Sequence, residues 1–204
     1  MAKFDEREGN SCHLHLSLRG TDGSAVFPDE ERDGGRSVIF EQFIAGVLAT
    51  MPEFCYFYAP NINSYKRFAA GSFAPTALAW GVDNRTCALR VVGHGAGLRV
   101  ENRVPGGDVN PYLAVAAMMA GGLHGISEQL VLDDEFVGNA YGSDLPRVPA
   151  TLAEARGLLE ESTVARQAFG DDVVDHYLNA AAVEIAAFNA AVTDWERIRG
   201  FERL

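Results

Sequence analysis

Across residues 11–18 the sequence alternates without interruption, setting Leu14, Leu16 and Leu18 on one side of an extended chain and His13, His15 and Ser17 on the other. A strand patterned this way needs an apolar layer beneath it and keeps a polar face above, which restricts the chain to a sheet backed on one side. Segments 77–82, 86–92 and 98–103, each bounded by Gly, Asp or Asn, read as further strands of the same antiparallel sheet. Helical periods supply the backing. Ile39, Phe43, Val47 and Met51 recur every four residues and predict a helix that ends before Pro52. Beyond residue 105 the pattern is mostly helical. Asn110 before Pro111 caps a small-residue helix running to about Gly121 and suited to close backbone packing. Thr151 with Glu154 forms a capping-box signature for a helix that breaks near Gly170. Val174, Leu178, Ala181, Ile185, Phe188, Val192 and Trp195 form one apolar seam of a final docked helix. The fold expected is α+β, with antiparallel strands forming part of a barrel whose outer side is covered by helices.

Composition narrows the function. Seventeen Lys and Arg against twenty-eight Asp and Glu give a net charge of −11, which repels phosphate backbones and anionic membranes, so nucleic acid is a poor partner. The longest nearly apolar run, residues 113–123, is far short of the roughly 20 residues that span a bilayer. The first eight residues carry no apolar core of the kind an export signal needs. Cys12, Cys55 and Cys87 are odd in number and lack CxxC spacing, so they suit a reducing cytoplasm better than a disulfide framework or a zinc site.

Chemistry concentrates on two strands. In Arg99-Val100-Glu101-Asn102-Arg103 a period of two puts Arg99, Glu101 and Arg103 on one face, a carboxylate between two guanidinium groups. Such a row can hold a divalent cation on Glu101 while the arginines grip anionic oxygens; cross-strand ion pairs on a solvated face are the bland reading. His13-Leu14-His15 presents two imidazoles roughly 7 Å apart on one strand face, competent as a metal ligand and a hydrogen-bond donor, although isolated pairs of this kind are more often plain surface histidines. Arg67, Arg85 and Arg90 stand in contexts that demand partners, either carboxylates or a multiply charged anion. Gly71-Ser72-Phe73-Ala74-Pro75-Thr76 suits an ordinary loop or a lid, and both readings stay open.

Taken in order, Gly9-Asn10-Ser11-Cys12-His13-Leu14-His15-Leu16-Ser17-Leu18, Asn63-Ser64-Tyr65-Lys66-Arg67, Asp83-Asn84-Arg85-Thr86, Arg99-Val100-Glu101-Asn102-Arg103 and Asn110-Pro111-Tyr112 resemble the glutamine synthetase family. The resemblance covers residues 1–204 and begins inside the catalytic domain, so Met1 looks internal and the N-terminal β-grasp domain with the first part of the catalytic domain is absent. It implies a ligase that phosphorylates the γ-carboxylate of glutamate with ATP and lets an amine displace the phosphate, with Mg²⁺ or Mn²⁺ neutralising charge. By resemblance, His13 and Glu101 are metal ligands. His15, Ser17, Arg85 and Arg99 lie near the nucleotide, Arg85 and Arg90 stabilise the transferring phosphoryl group, and Gly9, Arg67 and Arg103 bind glutamate. A ring-shaped homo-oligomer is implied as well.

The departures carry information. Phe73 stands where ammonia-using members have a flap glutamate, which points to ligation of a polyamine or another organic amine. Ala96 replaces a lysine near the phosphates, and Glu8 an asparagine beside the glutamate-binding glycine. Tyr141 lies near a regulatory tyrosine of some relatives, but its flanks differ and it reads as an ordinary loop residue. Two ligands make a poor Mg²⁺ site, so the 204-residue chain is expected to be inactive alone. The alternatives are a non-catalytic structural or regulatory relative and a guanidino-kinase-like phosphotransferase, the latter predicting no glutamate site at residues 63–67.

Overall fold

The computed structural model describes Phe4 and residues 7–203; residues 1–3, 5 and 6, part of the segment read for an export signal, lie outside the description. The chain forms one open sheet with helices packed on its inner face. Strands β1 (Leu14–Leu16), β2 (Ala77–Val82), β3 (Cys87–Val92) and β4 (Arg99–Asn102) lie in the order β1-β4-β3-β2. The register places Leu16, Val100 and Val91 side by side, and in the next row His15, Glu101 and Arg90. Because neighbours in register share a face, the first row enters the core and the second lines the opposite surface. Leu14, Leu16 and Leu18 all pack on the core, as the alternation requires.

The α+β class holds, with one change in the sheet. β1 and β4 pair antiparallel, as do β4 and β3, but β2 and β3 run parallel. Parallel neighbours ordinarily need a long crossover, whereas only residues 83–86 join these two. The linker folds through turns at Asp83, Arg85 and Thr86 and passes beside residues 136–138. Asn84 pins it there, its amide donating to the carbonyls of Phe136 and Gly138 at 3.2 and 2.9 Å. A two-residue turn signal would have forced a hairpin; Asp83-Asn84-Arg85-Thr86 is not one.

Among the described residues six helices take up the four helical patterns of the sequence, with corrections at their ends and breaks: α1 (Val38–Tyr58), α2 (Pro111–Ser127), α3 (Leu152–Glu161), α4 (Thr163–Phe169), α5 (Asp171–Ala190) and α6 (Asp194–Arg203). α1 does not stop at Pro52 but runs six residues further. An interior proline costs about 3 kcal/mol, but burying one large apolar side chain returns about 1.5–3 kcal/mol. Phe54, Cys55, Phe57 and Tyr58, all beyond the proline, are buried. α1 is also long and apolar enough to cross a membrane by length and composition, which the reading of residues 113–123 overlooked. Most of its apolar side chains are instead taken up in the core, with Val38 and Ile39 left exposed.

α2 likewise outruns its expected end at Gly121, because its glycines are needed where they are. A Cβ on Gly125 would lie 2.6 Å from the Gly46 Cα and N, and one on Gly46 would lie 2.6 Å from the Gly125 Cα. The two helices touch backbone to backbone, the role anticipated for this small-residue stretch. Thr151 caps α3 through the Glu154 N–H at 3.1 Å, and Ser162 starts α4 anew by accepting from the Ala165 N–H at 2.9 Å. The final seam is interrupted. Val174, Leu178 and Ala181 are buried, but residues 191–193 are not helical, and Trp195, Ile198 and Phe201 of α6 face solvent. One half of a capping box marks the break: the Thr193 N–H donates to the Glu196 carboxylate at 2.7 Å, and the Thr193 hydroxyl donates to the same oxygen.

Candidate active site

The outer face of the sheet converges on one carboxylate. Glu101, buried in the middle of β4, accepts from Arg103 Nη1 and pairs with His13 Nδ1 through Oε1, both at 2.8 Å, while its Oε2 accepts from Arg90 Nη1 at 2.9 Å. His15 Nε2 approaches Oε1 to 3.9 Å. The period of two within β4 and the register across β1 and β3 are sufficient to produce this, since each strand contributes the residue opposite or diagonal to Glu101.

The partners are themselves fixed. Arg90 reaches back to Asp83, which adopts a left-handed backbone at φ 51° at the end of β2. Arg103, also buried, uses its other donors on the carbonyls of Arg85 (3.2 Å) and Phe73 (3.3 Å). Arg99 donates to His15 Nδ1 at 3.4 Å and to the Gly97 carbonyl at 3.2 Å.

Burial by itself would raise the Glu101 carboxyl, but the hydrogen bond from Arg90 and the charge of Arg103 outweigh it and hold the group below its ordinary range. For His13, burial and then the positive charge of Arg103 outweigh the attraction of Glu101, so its titration is lowered and the imidazole is neutral at pH 7. The face is therefore an ionised acid among permanent cations, with a neutral imidazole beside it.

His13, Phe73, Arg85, Arg90, Glu101 and Arg103 line one cavity of about 290 Å³. Three guanidinium groups against one carboxylate leave it an excess of positive charge, suited to a phosphoryl group or a substrate carboxylate. Of the other residues named from sequence, His15 and Arg99 form a pair beside it and Ser17 is exposed beyond the end of β1. Gly9 lies in the segment that runs along residues 105–107, outside the lining. Arg67 is buried, its guanidinium donating to the Val104 carbonyl and lying 5.0 Å from the Phe68 ring centre. It sits in a 3-10 turn (Ile62–Arg67) held by Asp108, which accepts from Asn61 Nδ2 at 2.9 Å and Ser64 Oγ at 2.6 Å.

A divalent cation finds too few donors here. Among the described residues no group of three or more His, Cys, Asp or Glu could hold a metal, and His13 with Glu101 supplies two positions of the six that Mg²⁺ requires. Both carboxylate oxygens of Glu101 are already taken by guanidinium groups. The residues present do not make a metal site by themselves.

Asp83 and Arg147 have structural roles at the site and were not singled out from sequence, and Tyr141, read there as an ordinary loop residue, has one too. Asp83 orients Arg90, and its place in the Asp83-Asn84-Arg85 motif was the available signal. Tyr141 and Arg147 hold the segment that carries Phe73, the tyrosine hydroxyl donating to the Ala74 carbonyl at 3.0 Å and Arg147 Nη1 to Thr76 Oγ1 at 3.0 Å. Contacts across 67 and 71 residues leave no local pattern to read.

Known proteins resemble this chain in sequence and in fold. The chain is 61% identical over 204 residues to gamma-glutamylethanolamide synthetase GlnA4 of Streptomyces coelicolor, covering 100% of this chain and 44% of that protein. It is 42% identical over 198 residues to glutamate–isopropylamine ligase of a Pseudomonas species, covering 95% of this chain and 43% of that one. The solved structure of a GmaS/ADP complex superposes with a TM-score of 0.86 at 28% identity, over 95% of this chain and 46% of that chain. The chain thus spans less than half the length of the relatives it matches. With the sequence model of the glutamine synthetase catalytic domain matching residues 1–199, the chain belongs to the glutamine synthetase family.

Proposed function

We propose that residues 1–204 are the C-terminal portion of the catalytic domain of an ATP-dependent ligase that joins the γ-carboxylate of glutamate to an amine. The single observation that carries this reading is the convergence of His13, Arg85, Arg90 and Arg103 with Glu101 on one cavity. In the first step a γ-carboxylate oxygen bonds to the terminal phosphorus of ATP and ADP leaves. Arg85 and Arg90 stabilise the charge on the phosphoryl oxygens in transit, as guanidinium groups do in phosphoryl transfer. In the second step the amine nitrogen bonds to the acyl carbon, phosphate departs, and the nitrogen gives up its extra proton.

Arg99, His15 and Ser17 serve the nucleotide side, and Gly9, Arg67 and Arg103 the glutamate side. Arg67 acts from beneath, through the Val104 carbonyl next to Arg103. His13 and Glu101 would supply two of the donors toward Mg²⁺ or Mn²⁺, a minority of the six positions such an ion takes. The cysteines, all free, suit work in the cytoplasm, and the whole protein assembles as a homo-oligomeric ring.

The amine is organic. Phe73 presents an exposed ring at the cavity and cannot accept a proton from ammonium. Alkyl surface against that ring is stabilised by apolar contact, and two relatives are named for ethanolamine and isopropylamine products or substrates. The test is an amine panel on the full-length protein with ATP and glutamate. Ethanolamine, isopropylamine or putrescine should outcompete ammonium; a preference for ammonium would sink the reading of Phe73. The 204-residue chain alone should form no γ-glutamyl product, and turnover by it would refute the assignment as a partial site.

A further inference from the structure

We propose that Tyr141 is a positioning residue: its hydroxyl bond to the Ala74 carbonyl fixes residues 71–76, and with them the Phe73 ring, over the arginine-rich cavity. The part of this that concerns amines rests on the ligase reading above; the part that concerns the segment does not.

Local bonds hold the start of the segment, Ser72 Oγ donating to the Ala69 and Arg67 carbonyls at 2.6 and 3.1 Å and accepting from the Ala74 N–H at 3.3 Å, but they do not reach the carbonyls of Phe73 and Ala74. Phe73 has φ 57°, a left-handed backbone that a residue with a β-carbon adopts only at a cost. It belongs to no strand or helix. Two consecutive carbonyls are gripped by side chains from opposite sides: Phe73 O receives Arg103 Nη2 at 3.3 Å, and Ala74 O receives the Tyr141 hydroxyl at 3.0 Å. Ala74 is buried, where an unmet carbonyl is costly, and Pro75 behind it restricts Ala74 to extended geometry. Locking the peptide on each side of Ala74 sets where Phe73 points.

Tyr141 can do this because its own platform is rigid. It lies in a 3-10 turn (Ala140–Gly142) whose N–H donates to Asn139 Oδ1 at 3.0 Å. Arg147 binds the carbonyls of Ala140 and Tyr141, both at 3.2 Å, and that of Ser143. The Ala140 N–H donates to Thr86 Oγ1 at 2.9 Å, tying the turn to the loop that carries Arg85. Tyr141 does not line the cavity. It acts on the site only through the carbonyl it holds, which is more than the ordinary loop residue expected from its sequence.

The test is Tyr141→Phe, which keeps the ring and removes the hydroxyl. In the 204-residue chain, amide hydrogen exchange in residues 71–76 should accelerate about tenfold while α1 and α2 stay unchanged. Unchanged exchange in 71–76, or equal acceleration through α1 and α2, would overturn the proposal. Arg147→Gln serves as the control and should loosen residues 140–143 as well as 71–76. In the full-length protein with ethanolamine as the probe, Tyr141→Phe should raise the amine KM about fivefold and shift the ATP KM less than twofold. A loosened segment with an unmoved amine KM would overturn the positioning role. Faster exchange in 71–76 together with a wild-type protein that ligates no amine would support the hold on the segment and sink the ligase reading.

Discussion

The contact between α1 and α2 and the charged face around Glu101 are built on opposite principles. At the first, Gly46, Gly121 and Gly125 bring two backbones together and leave no room for a β-carbon. At the second, Arg90, Arg103 and His13 surround a buried carboxylate beside an open cavity. The helix contact is steric and tolerates nothing larger than hydrogen, since close-packed interiors transmit strain. The charged face is electrostatic and held by redundant partners: Arg90 keeps Asp83, and Arg103 keeps two carbonyls, if Glu101 is lost. Stability is therefore concentrated in the part that does no chemistry, which leaves the chemical part free to be strained and charged.

The largest effect should come from Gly125→Ala, whose methyl meets backbone of Gly46 and Gln42 that cannot swing aside. We expect a loss of about 3 kcal/mol in urea unfolding; a loss under about 1 kcal/mol would show that the helices separate easily and would erase the contrast. Glu101→Gln should cost less, about 2 kcal/mol, with the same urea midpoint assay as the check. In the full-length protein it should abolish ligation, and an active, equally stable variant would break the comparison from the other side.

A smaller effect is expected at Asp108. Burial alone would raise its carboxyl, but hydrogen bonds from Asn61 and Ser64 outweigh that and lower it overall. A depressed folded-state pKa means that its contribution is complete above the unfolded value of about 3.9 and is lost as pH falls through the lower folded value. Asp108→Asn should remove about 1 kcal/mol near neutral pH and flatten stability in that acid window; an unchanged acid limb would mean the turn at residues 62–67 is held by something else. The smallest effect should be Ile198→Lys on the solvent face of α6, within about 0.5 kcal/mol. A larger loss by thermal unfolding would reveal that this helix is packed in solution.

How much of this was legible beforehand divides by distance along the chain. The site was readable because it is written in period-two alternation on short strands, so that Glu101 with Arg99 and Arg103, and His13 with His15, could be set on faces before any partner was known. Caps at Asn110 and Thr151 mark helix starts because their partners lie within three residues, and the cap at Ser37, of the same local kind, went unread. The half box at Thr193 and Glu196 carried the same signal, but the apolar period running through it masked the break. Pro52 failed in the other direction, a strong local rule overridden by the burial of the residues that follow it.

The sequence by itself determined the class of fold and the two faces of the sheet, with Arg99, Glu101 and Arg103 on one face and His13 and His15 together on another strand, because these follow from periodicity. Only the tertiary structure decided that β2 runs parallel to β3, that Arg67 is buried under the site, and that Tyr141 grips the segment bearing Phe73. Those outcomes depend on contacts between residues far apart in the chain. Their energies compare one whole packing with another, and no window of neighbouring residues contains that comparison.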